Sequence, residues 1–295
     1  MAARAGAGLV GSLALAALAS RRRKQPPLAT GLTRLSSIGL PRLLRLGVTM
    51  SVPPLWGEIA LLHFRGSFHN RFMWLPVAGL PAIFLGGAVS AITTDERRSR
   101  MIFRPLAWTM ALVGTAGTFF HLRGMARQMG GLRNWKYNVL TGPPIPAPPQ
   151  VALFGLMAAL ASAPPSRGET ARLLRLLSVA NAASSLLLAG EAGYNHWLGN
   201  YFNKVMFTPV VLCPLLSTAQ LANLTGLHPI RPLVTSLSAA ATVAGVVGFG
   251  FHVKNISGRP GGFSWQNFFY GPPVVAPLQL TAQGVIGLLA AAFEE

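Results

Sequence analysis

Apolar segments of about 20 residues dominate the chain after Pro41 and constrain what it can fold into. A helix rises about 1.5 Å per residue, so such a segment can cross the roughly 30 Å hydrocarbon layer of a bilayer. We predict eight spans, near residues 43–64, 72–94, 103–125, 145–163, 172–197, 203–224, 232–254 and 272–293. The sequence thus predicts an all-α polytopic membrane protein whose main partner is the lipid bilayer.

The charged residues agree with this class. They make up only 11% of the chain, whereas soluble domains carry roughly a quarter. The net charge of +18 is typical of nucleic-acid-binding proteins, but the basic residues lie between the apolar segments and form no continuous basic face. We therefore expect no nucleic-acid partner. The single cysteine, Cys213, rules out an intrachain disulfide.

One 25-residue stretch, residues 57–81, occurs again as residues 190–214, and nine of its positions are identical. Unrelated segments of ordinary composition share about one or two. The identical pairs are Gly57/Gly190, Glu58/Glu191, His63/His196, Gly66/Gly199, Asn70/Asn203, Met73/Met206, Pro76/Pro209, Val77/Val210 and Pro81/Pro214. Polar residues kept in step inside an apolar chain indicate a duplicated functional feature.

Further matches extend the duplication over most of the chain. They are Arg42–Leu46 with Arg172–Leu176, Phe120-His121 with Phe251-His252, and N-x3-G-P-P-x2-A-P beginning at Asn138 and at Asn267. We predict two tandem four-helix repeats, residues 41–165 and 170–293. Four spans per repeat make both copies enter the membrane in the same direction, which predicts a pseudo-two-fold axis along the membrane normal.

Residues 1–40 are predicted to hold a short apolar helix and a basic linker, because an Ala/Gly/Leu-rich run over 5–20 precedes Arg21–Lys24. This helix could add a ninth span. Basic residues are more frequent on the side where the first span begins, which makes that side cytoplasmic and puts the repeated motifs on the outer face. We expect a multi-pass protein of the bacterial inner (plasma) membrane. The alternative is an organellar membrane, since the first 45 residues contain Arg and Ser but no acid.

Two of the seven acidic residues stand apart from the others. Five lie in charged loops or at the carboxyl end, whereas Glu58 and Glu191 lie in predicted spans and match between the repeats. An ionised carboxylate in hydrocarbon costs about 2.5–3.5 kcal/mol. The two glutamates are therefore candidates for a functional site.

Histidines join the glutamates at the predicted outer face. The topology brings Glu58, His63 and His121 together in the first repeat, and Glu191, His196 and His252 in the second. Imidazole and carboxylate bind iron, copper or zinc, and three protein ligands leave positions open for water or substrate. Hydrogen-bonding residues beside these ligands are predicted at Asn70, Asn203, Asn138 and Asn267.

Other arrangements of the same residues remain open. The histidine pairs alone could hold haem as axial ligands, and it would be haem b because no Cys-x-x-Cys-His motif is present. One dinuclear centre could instead be shared by both repeats. The histidines could also form structural hydrogen bonds with unwound backbone. On a continuous helix, Glu58 and His63 point about 140° apart. They can share an ion only if the helix ends or unwinds near Gly66; otherwise each faces a different neighbour.

These patterns favour a redox function, as an electron-transferring membrane subunit or a membrane oxidoreductase. A redox partner or soluble subunit would then dock at the outer face. The first alternative is a transporter or permease that uses Glu58 and Glu191 as protonatable or cation sites. The second is a non-catalytic membrane anchor or scaffold for a soluble partner. The sequence assigns no catalytic residue.

Overall fold

The computed structural model describes residues 40–93, 95–162, 167–225 and 230–293, which form helices and turns without a β-strand. The predicted amino-terminal helix and the basic linker up to residue 39 lie outside the described residues. Ten α-helices occur in the described part. They are α1 (Leu40–Arg65), α2 (Trp74–Ile92), α3 (Glu96–Ala126), α4 (Trp135–Thr141), α5 (Ala147–Ala161), α6 (Arg167–Leu198), α7 (Thr208–Leu224), α8 (Arg231–Ser257), α9 (Trp265–Tyr270) and α10 (Pro277–Phe293).

Four helical segments are long and apolar enough to cross a membrane. They are Arg71–Ile92, Ala171–Leu198, Lys204–Leu224 and Arg231–Ser257. Helices α5 and α10 are also apolar but have only 15 and 17 residues. Most of the residues in α2, α7 and α8 face outward, so that their apolar side chains cover the surface. The chain is thus an all-helical protein with the features of a multi-pass membrane protein.

Every predicted span coincides with a helix, although the ends differ. Helices α5 and α10 begin at Ala147 and Pro277, two and five residues after the predicted starts. The Gly-Pro-Pro segments before them stay non-helical, because proline lacks an N–H group and disfavours a helical residue before it. These segments connect two short helices, α4 and α9, to α5 and α10.

Tight turns end α1 and α6 in the same way. Ser67 and Phe68 have φ angles of 56° and 45°, and Asn200 and Tyr201 have 57° and 44°. Residues with a side chain rarely adopt this left-handed conformation. The aromatic rings support it: Phe68 stacks on Trp74, and Tyr201 stacks on Phe207, each with 4.1 Å between ring centroids.

Glycines bring α5 against α3 and α10 against α8. A Cβ atom added to Gly155 would lie 2.3 Å from the backbone nitrogen of Ala111, and one added to Gly284 would lie 2.5 Å from that of Thr242. Only glycine permits this backbone approach, which is a common way to pack helices in membranes. The two pairs of helices are therefore fixed rigidly.

The centre of the molecule is a ring of four helices in the order α1, α5, α6, α10, each packed on the next. Buried apolar side chains fill the ring, among them Val52, Leu55, Met157, Leu177 and Ile286. Helices α1 and α6 face each other across the ring, as do α5 and α10. This arrangement decides which polar residues meet at the centre.

Candidate functional site

Glu58 of α1 and Glu191 of α6 both point into the central ring. Their exposed fractions are 6% and 7%. They line one small cavity, and their carboxyl groups are close enough to interact electrostatically. Two acidic groups that are 133 positions apart in the sequence thus share one buried space.

A glutamine holds each of the two carboxyl groups. Gln279 of α10 donates from Nε2 to Oε2 of Glu58 over 3.0 Å, and Gln150 of α5 donates from Nε2 to Oε2 of Glu191 over 2.7 Å. The bonds run crosswise: each glutamate is bound by a glutamine from the other half of the chain. These hydrogen bonds at the centre therefore connect the two halves of the chain.

The glutamine oxygens remain available at this cavity. Oε1 of Gln150 and Oε1 of Gln279 are buried and have no hydrogen-bond partner among the described residues. The cavity has a volume of about 10 Å³, which is just enough for one water molecule. Carboxylate and amide oxygens are acceptors, so the group that completes this site must be a hydrogen-bond donor or a cation.

The two glutamines were not among the sequence-predicted site residues. The repeated pattern G-P-P-x2-A-P ends at Pro148 and Pro277, and the next identical pair, Gln150 and Gln279, lies two residues further on. The full pattern is G-P-P-x2-A-P-x-Q. Extending the match by two positions would have identified both residues.

The four repeated histidines lie apart from this cavity and bind backbone carbonyl groups. The Nδ1 atoms of His63 and His196 lie 2.8 and 2.6 Å from the carbonyl oxygens of Met73 and Met206. Those of His121 and His252 lie 2.8 and 2.7 Å from the oxygens of Pro144 and Pro273. A carbonyl oxygen only accepts, so each Nδ1 carries the proton and each Nε2 keeps a lone pair.

These contacts are the structural hydrogen bonds that the sequence offered as one alternative. A helical N–H donor for the oxygens of Pro144 and Pro273 would come from four residues further on, where Pro148 and Pro277 have none. The imidazoles supply the missing donors. The rings of His63 and His121 also approach each other, with 6.4 Å between their centroids.

Glu58 and His63 face different neighbours on one helix. Helix α1 is continuous from Leu40 to Arg65, so the expected angle between the two side chains is kept. Glu58 contacts α10, whereas His63 contacts Met73 and lies beside His121. Among the described residues, no group of three or more His, Cys, Asp or Glu side chains is placed to hold a metal ion.

The predicted asparagines support turns. Oδ1 of Asn70 accepts from the backbone N–H of Phe72 over 3.0 Å, and Oδ1 of Asn203 accepts from that of Val205 over 3.1 Å. Asn138 and Asn267 donate to the carbonyl groups of Gly131 and Gly262 in the Gly-Gly turns. Each asparagine thus stabilises the backbone of a turn.

Arg65 makes a contact that has no counterpart at the corresponding position of the other half. Its guanidinium group, at the end of α1, donates to the carbonyl oxygens of Phe268 and Gly271 over 2.9 and 3.3 Å. It also lies 5.8 Å from the centre of the Phe269 ring. The corresponding position in the other half is Leu198, which cannot form these bonds.

No protein-family model, curated protein or solved structure matches this chain. The function therefore has to be argued from the site itself.

Proposed function

We propose that this chain is a membrane transport protein in which Glu58 and Glu191 bind and release protons. It would consist of two four-helix repeats with eight membrane-spanning helices. The observation that carries the proposal is the pair of buried carboxyl groups that share one cavity and receive hydrogen bonds from neutral glutamines. A buried carboxyl pair is a functional candidate in a membrane protein.

Hydropathy alone does not identify α1, α3, α5 and α10 as membrane-spanning helices, but their lengths and the burial of their polar side chains support that role. Helix α1 has 26 residues and α3 has 31, which correspond to about 39 and 46 Å. Arg45 and Glu58 of α1 face the interior, as do Gln150 of α5 and Gln279 of α10. The shorter α5 and α10 are preceded by Gly-Pro-Pro segments packed against α3 and α8, and non-helical backbone is tolerated at membrane depth when protein covers it.

The chemistry of the pair suits proton transfer. Two carboxylates in one buried cavity repel each other and lose hydration, so a proton shared between them lowers the cost of burial. The proton adds to a carboxylate oxygen to form an O–H bond, and it leaves to water when that bond breaks. No electron is transferred, and the glutamine side chains stay neutral throughout.

A flux measurement in liposomes tests this proposal. The purified protein is reconstituted with a pH-sensitive dye inside the vesicles, and a potassium diffusion potential drives protons across the membrane. We expect a proton flux above that of empty liposomes, reduced at least tenfold in E58Q, E191Q and E58Q/E191Q. E169Q, at the start of α6, serves as the matched control. A wild-type flux equal to that of empty liposomes, or an undiminished flux in E58Q/E191Q, would overturn the proposal.

The histidine pairs support a second candidate function, electron transfer through bound iron, copper or haem b. Metal-binding histidines usually donate their other ring N–H to a carbonyl or carboxylate, and all four repeated histidines donate from Nδ1 in this way. Their Nε2 atoms are left with the lone pair that a metal needs. A soluble redox partner would then dock at the same end of the bundle.

The absorption spectrum and metal content of the purified protein test this second function. A Soret band, or stoichiometric metal, that is lost in H63A/H121A or H196A/H252A would support it. A colourless protein without bound metal, purified from cells supplied with iron and haem precursors, would exclude it.

A further inference from the structure

The second half of the molecule contains a set of buried polar side chains that the proposed function does not use. They lie inside α6, α7, α8 and α10 and are exposed by 2% or less. The set, named the polar track here, consists of Asn181, Ser184, Ser185, Gln220, Ser238 and Gln283. Polar residues buried among membrane helices are costly and indicate function.

Contacts connect the members of the polar track. Gln283 donates from Nε2 to the Ser184 hydroxyl over 2.6 Å and accepts at its backbone oxygen from Asn181 over 3.0 Å. One turn along α10, a Cβ atom added to Gly287 would lie 2.3 Å from Ser238 Oγ and 2.9 Å from Gln220 Nε2. The set therefore forms one continuous strip along α10.

Six buried polar atoms of this strip have no hydrogen-bond partner in the part of the chain that the structure describes. They are Asn181 Oδ1, Ser185 Oγ, both side-chain polar atoms of Gln220, Ser238 Oγ and Gln283 Oε1. Each such atom destabilises the folded protein if it stays unsatisfied. Water is the usual partner of buried polar groups that lack one in the protein. A strip with so many open donors and acceptors is a place for several water molecules.

The first half has apolar residues or glycine at five of the six corresponding positions, and Ser51 stands where the second half has Ser184. Val48, Val52, Gly87, Ala107 and Phe154 stand where the second half has Asn181, Ser185, Gln220, Ser238 and Gln283.

The packing supports this correspondence. Gly155 lies against Ala107 and Ala111, as Gly284 lies against Ser238 and Thr242. All five first-half residues are buried. At these five positions the same helix packing is therefore built without polar side chains, so the fold does not require polar residues there.

The polar track begins beside the glutamate cavity. Gln283 is one turn after Gln279 on α10, and Ser184 is two turns before Glu191 on α6. From there the track runs toward the end of the bundle where α6 begins and α7 ends. Ala219, Val234 and Ala291 form an apolar cluster at that end, and we name it the plug. In the orientation predicted from the basic residues, this end is cytoplasmic.

We infer that water fills the polar track and connects the Glu58/Glu191 cavity to this one end of the molecule, through the second half only. The inference rests on the proposed function and adds the route and the kind of species that travels on it. The cavity admits a group of the size of water, so the species is a proton carried by water. The plug closes the track toward the surface.

Silver-ion protection of single cysteines tests the water path without measuring transport. Cys213, the only native cysteine, is buried in an apolar cluster and is replaced in C213A. S238C and A107C then place a thiol at corresponding positions of the two halves. The proteins in nanodiscs are treated with Ag⁺, denatured and labelled with a fluorescent maleimide, which reports the thiols that silver left free.

We expect silver to block S238C at least tenfold faster than A107C, and V234A to accelerate the reaction of S238C by widening the plug. Equal rates for S238C and A107C would overturn the path, and an unchanged rate in V234A would overturn the plug. Size-exclusion chromatography before treatment identifies variants that do not fold. If a cysteine variant does not fold, the proton flux of Q283L in the otherwise native chain is measured instead. We expect this flux to fall at least tenfold. An unchanged flux would contradict the path.

The two proposals can fail separately. Fast silver protection of S238C in a protein that conducts no protons would keep the water path and remove the proposed function. Proton flux that depends on Glu58 and Glu191, with S238C as slow as A107C, would keep the function and remove the path.

Discussion

Arg45, a fully buried residue of α1, is paired with Glu96 at the start of α3. Its Nη1 lies 2.7 Å from Oε1 of Glu96, and its Nη2 donates to Oε2 over 2.8 Å. The hydrogen bond from Nη2 is charge-assisted, which makes it stronger than one between neutral groups. Glu96 is 47% exposed, so the pair connects the interior with the surface. Arg175, which the match of Arg42–Leu46 with Arg172–Leu176 pairs with Arg45, is exposed, whereas the spacing of 133 positions that relates Glu58 to Glu191 pairs Arg45 with the buried Ser178.

Removing Glu96 is therefore expected to destabilise the protein. E96A leaves the Arg45 charge buried without its partner, which should cost about 3 kcal/mol, the low end for a broken buried pair because Glu96 itself is half-exposed. The free energy of unfolding in a detergent titration measures this loss. R175A is the control and should change that free energy by less than about 0.5 kcal/mol. Similar losses in both variants would contradict the assignment.

Glycine substitutions should separate close packing from helix propensity. In G155A the new Cβ would lie 2.3 Å from the Ala111 nitrogen, and because backbone cannot give way, we expect a loss of about 1–3 kcal/mol. Gly79 has no atom within 4 Å of an added Cβ, so G79A should be neutral or gain up to about 1 kcal/mol. Thermal unfolding of both variants in the same detergent compares them. A neutral G155A would show that α5 does not pack tightly on α3.

The crosswise bonds predict an energetic coupling between the two halves. Q279L removes the donor to a buried carboxyl group, which should cost about 1.5–3 kcal/mol. In the E58L background the same change should cost much less, because no carboxyl group is left to satisfy. The double-mutant cycle should therefore give a coupling of at least about 1 kcal/mol. Additive effects of the two substitutions would mean that the bond contributes no stability.

Replacing Arg65 should lower the local stability of α9, and hydrogen exchange can detect this change. R65L, which copies Leu198 of the other half, removes the donors to the carbonyl oxygens of Phe268 and Gly271. We expect the backbone amides of α9 to exchange about tenfold faster, corresponding to about 1.4 kcal/mol of local stability. The amides of α4, at the corresponding place in the other half, are the internal control. Equal acceleration in α4 and α9 would indicate general destabilisation instead.

The helices could be predicted from the sequence because apolar length is a local property. The turns after α1 and α6 could be located for a similar reason, since Gly66 and Gly199 precede polar residues that suit a helix start. The five-residue spacing left two arrangements of Glu58 and His63 open, and the structure has the one in which the helix is continuous and the two residues face different neighbours. Spanning of the bilayer by all eight segments stays a prediction, as do bound metal and haem.

The arrangement of the helices could not be predicted in this way. Which helix lies next to which depends on complementary packing surfaces, such as Gly155 against Ala111, and hydropathy does not encode these. The meeting of Glu58 with Gln279 follows from the ring order α1, α5, α6, α10. The polar track could not be predicted for another reason. Its residues differ between the two copies, whereas a repeat is recognised by the residues that are identical.

The bond between Glu58 and Gln279 also has a consequence for the order in which the protein is made. Ribosomes synthesise the chain from its amino terminus, so Gln150 already exists when Glu191 appears. Glu58, however, must wait for a partner 221 positions later, roughly 10 to 45 seconds at ordinary rates of translation. During that interval the nascent first half carries an unsatisfied acidic group. Stable assembly of the first half therefore depends on α10. Truncation of the chain before α10 should expose the incomplete protein to membrane proteases.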